Sequence, residues 1–180
     1  THYNIISRTV APGLVVGGSN AVVPNNNAPA NYLYNDKYTN TTGVDKTVVY
    51  RVQPILAPDC FGDPVDITIT IKPQPVVLPG QTKTVCSGIA IGKEILLSPA
   101  NTPAGTVFNW PKPTLSDMSD QGTAGNNVPA DPAGAIHIDD QILNYGAAPI
   151  TATYYVTPVS SAGCAGDEVP VVITVNPEPI

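Results

Sequence analysis

The sequence predicts an all-β chain made of two tandem copies of one β-sandwich unit. Three observations predict it. Residues 60–71 read CFGDPVDITITI and residues 164–175 read CAGDEVPVVITV, so one stretch is written twice. Within both stretches apolar residues recur at every second position, the period of a strand with one buried face. Twenty prolines and fifteen glycines punctuate the 180 residues, and no stretch long enough for a good helix avoids both these and β-branched residues.

The length suits one domain or two small ones. Hydrophobic residues (42%) can fill a core, while charged residues are only 12%, so Thr, Ser, Asn, Gln and Pro must cover the surface. A typical globular domain is about a quarter charged. Alternation of Val, Ile, Thr and Tyr supplies apolar faces to bury, which argues against the disorder that the Pro and Gly content would otherwise suggest. The net charge is −6 and the eight Lys and Arg are scattered, which excludes a basic stripe for nucleic acid. No apolar run approaches the roughly 18 residues of a membrane helix. The N-terminal THYNIISRTV has neither the charged n-region nor the apolar h-region of a signal peptide. A mature protein, or an excerpt from a larger one, is expected.

Sliding the chain on itself by 104 residues pairs Thr47 with Thr151, Tyr50 with Tyr154, Val52 with Val156 and Pro54 with Pro158 without a gap. Cys60, Gly62 and Asp63 then meet Cys164, Gly166 and Asp167. Val65, Ile67, Ile69 and Ile71 meet Val169, Val171, Ile173 and Val175, and Pro73 and Pro75 meet Pro177 and Pro179. A register held over about 30 positions is that of a tandem repeat. Upstream, Thr1–Ile5 (THYNI) resembles Thr106–Trp110 (TVFNW) at an offset of 105. Between these anchors the middles diverge and read as loops with short strands. Residues 1–75 are therefore expected to form one copy that lacks its N-terminal strand or strands, and residues 76–180 a complete copy.

The three cysteines follow from this division. Cys86 opens the complete copy and Cys164 lies near its end, so a Cys86–Cys164 disulfide is expected, with Cys60 left to a partner upstream of the segment. In the chain-entropy model such a loop of about eighty residues would contribute roughly 4–5 kcal/mol. A Cys60–Cys86 bridge between units is the rival pairing. Metal binding by the cysteines is disfavoured, because no C-x-x-C spacing occurs.

Element by element, TVVYRVQP and DPVDITITI form two strands joined by a cysteine-bearing loop from Pro54 to Pro64. Val65, Ile67, Ile69 and Ile71 point to a core and Asp66, Thr68, Thr70 and Lys72 to water. Pro73 and Pro75 stop the strand and stiffen the junction. In the complete copy KEILLSP, TVFNWP, AIHIDDQIL and TATYYVTP supply further strands. About seven short strands per ~100 residues, one buried Trp and a long-range disulfide suit an immunoglobulin-like β-sandwich. Trp110 reads as a core residue near that disulfide. A sugar platform would need neighbouring aromatics, which Pro111-Lys112-Pro113 does not offer.

The ordered set VCSG (Val85–Gly88), TVFNW (Thr106–Trp110), TATYYVTP (Thr151–Pro158) and GCAGDEVPVVITVNPEP (Gly163–Pro179) resembles the PKD-like repeat domain of very large Bacteroidetes surface proteins. TVVYRVQP, DCFGDPVDITITIKPQP and TNTTG in the first copy match the same pattern. The resemblance implies tandem PKD-like β-sandwiches, an extracellular or bacterial cell-surface location, export by the type IX route, and a spacer or adhesive role as in SprB-type gliding-motility adhesins. Its implied partners are neighbouring repeats of the same chain and surface polysaccharide or other cell-surface proteins.

No catalytic constellation is expected. His137 and Asp139 share a strand face at i, i+2, but no G-x-S-x-G accompanies them. His2 and His137 read as ordinary strand residues. No cofactor is expected. Calcium is the one ion considered, with Asp139-Asp140 and the Asp117/Asp120 stretch as candidates, but neither matches an EF-hand loop and a solvated surface is the simpler reading. Asp63 and Asp167 read as turn formers. Gly17–Asn20 (GGSN) lacks the Lys and Ser/Thr of a phosphate loop. Asn25–Asn27 reads as a polar loop, and Asn40-Thr41-Thr42 is a sequon of little meaning in a bacterial protein. The leading function is a non-catalytic structural or adhesive repeat. The alternative is a carbohydrate-binding or accessory module of a secreted enzyme, which needs an exposed aromatic platform or a calcium-supported cleft. The exposure of Trp110, Tyr145 and Tyr155 discriminates, and the reading fails if all three are buried or scattered.

Overall fold

The computed structural model describes residues 2–56, 60–117, 119–132 and 134–178. All regular structure among them is strand, and the chain divides into two compact units, Thr1–Pro73 and Gln74–Ile180. The sequence matches at Thr1 and Pro179, and part of the first cysteine loop, lie outside the described residues.

Unit 1 contains β1 (His2–Val10), β2 (Leu14–Val16), β3 (Asn25–Pro29), β4 (Tyr38–Asn40), β5 (Lys46–Ile55) and β6 (Val65–Ile71). Its main sheet runs β3-β1-β5-β6, antiparallel throughout, and β2 pairs β4 in a small ribbon. Alternation in β5 turns Val48, Tyr50 and Val52 inward, where they pack with Ile5 and Ala28.

Unit 2 contains β7 (Thr82–Cys86), β8 (Lys93–Leu96), β9 (Val107–Trp110), β10 (Thr114–Leu115), β11 (Gly125–Pro129), β12 (Ala135–Ile138), β13 (Ile150–Val159) and β14 (Val169–Asn176). One sheet runs β11-β9-β13-β14-β7, with β10 also on β13, and β8 and β12 form a ribbon. The core joins both: Ile95, Ile136 and Ile138 of the ribbon pack with Phe108, Tyr154, Val171 and Ile173 of the sheet. Each such side chain contributes about 1.5–3 kcal/mol when fully buried. Gln81 links the layers, donating to the carbonyls of Leu78 and Leu96 and accepting from the Leu96 amide at 3.0 Å. This is the expected all-β, immunoglobulin-like architecture.

Three expectations need correction. Asn25–Asn27, expected as a polar loop, opens strand β3, which pairs β1 with Ile5 opposite Asn25. Most of the face of β6 is open: every residue from Val65 to Thr70 is exposed and only Ile71 is half-buried against the core, whereas β14 alternates and buries Val171, Ile173 and Val175, the counterparts of Ile67, Ile69 and Ile71. In unit 2 the edge of β14 is paired with β7; in unit 1 β6 is an edge strand of its sheet. The Cys86–Cys164 disulfide is not formed either; Cys60, Cys86 and Cys164 are free thiols. The reason is directional. β7 runs parallel to β14 with Cys86 opposite Asn176, whereas Cys164 lies in the loop before Val169. From Val169 to Asn176 the strand rises about 23 Å at ~3.3 Å per residue. A disulfide needs Cα atoms within about 7 Å. The same geometry removes the reason for giving Cys60 an upstream partner within its own unit.

Candidate functional site

The most developed polar constellations in the chain occur twice. Asn40 ends β4 at the same repeat position as Asn144, and both are 2% exposed. Asn40 Nδ2 donates to the carbonyls of Val44 and Ile71, both at 2.8 Å, and Asn144 Nδ2 donates to Ala148 and Val175, both at 2.9 Å. Their Oδ1 atoms accept the amides of Thr42 and Gly146, each at 3.0 Å. All these partners are related by the 104-residue repeat. Each Asn thus closes its own turn and ties that turn to the last strand of its unit.

A second pair links a long central strand to a loop. Tyr50 on β5 donates its hydroxyl to Asp36, which also accepts the Ala21 amide at 2.6 Å and stands 3.6 Å from Arg8. Tyr154 on β13 donates to Asp140 at 2.7 Å, and Thr123 donates to the same carboxylate through its amide and its hydroxyl at 2.8 and 2.6 Å. Burial, and then the hydrogen bond to the carboxylate, push both phenols far above the ordinary tyrosine value. In a third pair, Asn4 and Asn109 accept the amides of Asn27 and Asn127, at 3.1 and 2.7 Å. Asn27 and Asn127 adopt φ of 65° and 51°, the left-handed region that asparagine tolerates. These pins were missed in the sequence, although Asp36/Asp140 and Asn40/Asn144 fall in the same register as the cysteines.

The residues considered from sequence are dispersed over these structures. Asp140 is occupied by Tyr154 and Thr123, while Asp139 beside it is exposed. Asp117 accepts the amide and the hydroxyl of Ser119, bonds that hold its carboxyl below the usual range, and Asp120 pairs with Lys112 at 3.0 Å. Asp63 and Asp167 are exposed; their turns are closed by the Gly62 and Gly166 amides, which donate to Pro54 and Pro158. His2 is exposed on β1.

His137 stands opposite Glu94 in the β12–β8 register, and its Nε2 lies 3.8 Å from Asp131 Oδ2. Ligand atoms of Glu94, Asp131 and His137 lie within 4.8 Å of one another. Asp131 Oδ1 also accepts the Ala135 amide at 2.9 Å. One imidazole nitrogen and two carboxylate oxygens would suit a first-row transition ion better than calcium. Sequence reasoning named His137 but missed Glu94, which becomes its neighbour only through strand pairing.

Of the three aromatics that a sugar platform would use, Trp110 is 8% exposed and donates through Nε1 to the Thr123 carbonyl at 3.1 Å. Tyr145 is exposed in the loop before β13, and Tyr155 is partly exposed on β13 itself. A cavity of about 390 Å³ in unit 2 is lined by Leu97, Thr102, Thr106, Pro129 and Asp131 among others, without an aromatic side chain.

The profile of the PKD-like domain matches residues 20–75 and again residues 83–179. The chain belongs to the PKD-like domain family. The first PKD-like match lies in unit 1 but for its last two residues and the second lies in unit 2, and they cover Asp36 with Tyr50, Asp140 with Tyr154, and both Asn40 and Asn144. PKD-like domains are generally non-catalytic and typically extracellular. Among the described residues no helix is long and apolar enough to cross a membrane. No curated protein matches the chain.

Proposed function

We propose that this chain is a structural and adhesive segment of a large bacterial surface protein, in which PKD-like units repeat along a filament. The observation that carries this reading is the duplication of the buried pins. Tyr50/Tyr154 with Asp36/Asp140, and Asn40/Asn144 with their carbonyl partners, recur at the 104-residue spacing and bind loop to sheet within each unit. The polar design goes into holding each module rigid, as a spacer requires. Residues 1–75 act as a second copy of the module, and neighbouring repeats are its first partners. Surface polysaccharide or other cell-surface proteins are the targets of an array whose weak contacts act together, and gliding or surface attachment is the setting. Multivalent display raises avidity by about 10²–10⁴ without a new contact.

The test is glycan binding by the monomeric chain against beads densely coated with it. The monomer is expected to give no saturable calorimetric signal with soluble oligosaccharides, while coated beads are retained on a polysaccharide surface. Saturable monomer binding that Tyr145→Ala abolishes would instead establish the accessory-module reading.

A further inference from the structure

In unit 2 the last strand is covered along both edges. β13 pairs one side of β14 and β7 the other, in parallel, with Val172 donating its amide to the Gln81 carbonyl at 3.2 Å. Val171, Ile173 and Val175 are fully buried, and Val77, Ile91, Ile95 and Leu97 from the stretch around β7 and β8 pack in the same core. At the matching positions of unit 1, Ile67 and Ile69 are 48 and 43% exposed, and only Ile71 is half-buried against the core; Val65, one step earlier on the same face, is 59% exposed. Next to them lies an apolar groove of about 270 Å³, lined by Tyr3, Ile5, Tyr32, Leu33, Val52 and Ile67. Ile5, Val52 and Ile67 correspond to Trp110, Val156 and Val171, which in unit 2 share a core with Ile91 and Ile95. Unit 1 therefore has the sheet half of the same core and an unpaired strand edge beside it.

We propose that the β6 edge and this groove seat a strand parallel to β6, followed by an apolar segment of the kind that residues 76–97 form in unit 2, supplied by polypeptide preceding Thr1. The inference rests on reading the two units as copies of one module. It commits to a register. The Val172 amide faces β7, so by the repeat the Thr68 amide faces the open edge, with those of Asp66 and Thr70 two residues to either side. Backbone bonds along that edge would supply affinity, and apolar side chains entering the groove would supply specificity, as in β-strand addition. An exposed, apolar strand edge is otherwise a template for aggregation.

The repeat supplies the experiment. Thr106 follows Gly105 as Thr1 would follow a grafted segment, so residues 76–105 are fused directly ahead of Thr1 in the full chain. In the unmodified chain the Asp66, Thr68 and Thr70 amides are expected to exchange with solvent at least ~100-fold faster than the Val172 and Thr174 amides, and in the fusion within about 10-fold of them. Thr68→Pro in the fusion should restore fast exchange along the edge while leaving the melting temperature of the unmodified chain unchanged. If the fusion does not fold, a synthetic peptide of residues 76–97 added to the unmodified chain gives the same readout. Unchanged exchange at Thr68 in both formats overturns the proposal. So does protection of β6 in the unmodified chain accompanied by a doubled mass in light scattering, which makes a second copy the occupant. Neither result bears on the glycan measurement, so this proposal and the module reading fail separately.

Discussion

Gly125 is a glycine because of Trp110. A Cβ placed there would lie 2.4 Å from the indole carbons, well inside any contact distance. Unit 1 solves the same crossing with the sizes exchanged: Ile5 replaces the tryptophan and Asn25 the glycine, and they face each other in the β1–β3 register as Trp110 and Gly125 do in β9–β11. Overpacking a core position costs about 1–3 kcal/mol. Gly125→Ala should therefore lower the urea midpoint of unit 2, followed by the fluorescence of the single tryptophan. The double change Trp110→Ile with Gly125→Asn should be milder than the sum of its parts, measured by hydrogen exchange on β13. Equal additivity would show that the pair is not coupled. The buried phenols make a different prediction. Tyr154 is held neutral in the fold well above its unfolded value of 10.0. Its contribution is thus intact below pH ~10 and declines above it, because only the unfolded chain then loses the proton, with a limiting slope of about 1.4 kcal/mol per pH unit. Tyr154→Phe should lose some stability at neutral pH and flatten the alkaline decline of unit 2. A slope unchanged by this substitution would assign the decline elsewhere.

Between elements, identical patterns have unequal fates. Val171→Ala should destabilise unit 2 by about 2 kcal/mol, because Val171 is fully buried in β14. Ile67→Ala, at the same repeat position in β6, should cost clearly less in the unmodified chain, since Ile67 is 48% exposed. Equal losses in thermal unfolding would contradict the description of β6 as an open face. This contrast also marks what the sequence could disclose. The long strands, the β5–β6 and β13–β14 hairpins and the repeat were legible because alternation and repeated identity are linear signals; β3, written NNNAP, carries no alternation and reads as a loop until it is seen paired to β1. Burial of the alternating face was not, since it depends on whether another segment lies across it. The cysteine pairing misled for a similar reason. Separation along the chain does not reveal which end of a strand a residue reaches, and the parallel β7–β14 pair sends Cys86 and Cys164 to opposite ends. The Asn and Asp pins could have been found by asking which polar residues share the 104-residue register, as Asn40 and Asn144 do.

At the scale of the whole molecule, two PKD-like units with separate cores carry few charges and a net charge of −6, so their cohesion comes from apolar packing and internal hydrogen bonds. For unit 2 the strand directions have a mechanical consequence. Its first strand, β7, and its last, β14, lie side by side and parallel over five paired positions. Tension applied through the two chain ends pulls these strands past one another along their length. The bonds between them then share the load in shear instead of opening one at a time. Lys83→Pro, which removes a β7 amide on the β14 side, is expected to lower the unfolding force of unit 2 in single-molecule stretching far more than it lowers the melting temperature. A unit built this way resists being pulled apart most strongly along the direction in which a surface-anchored chain would be stretched.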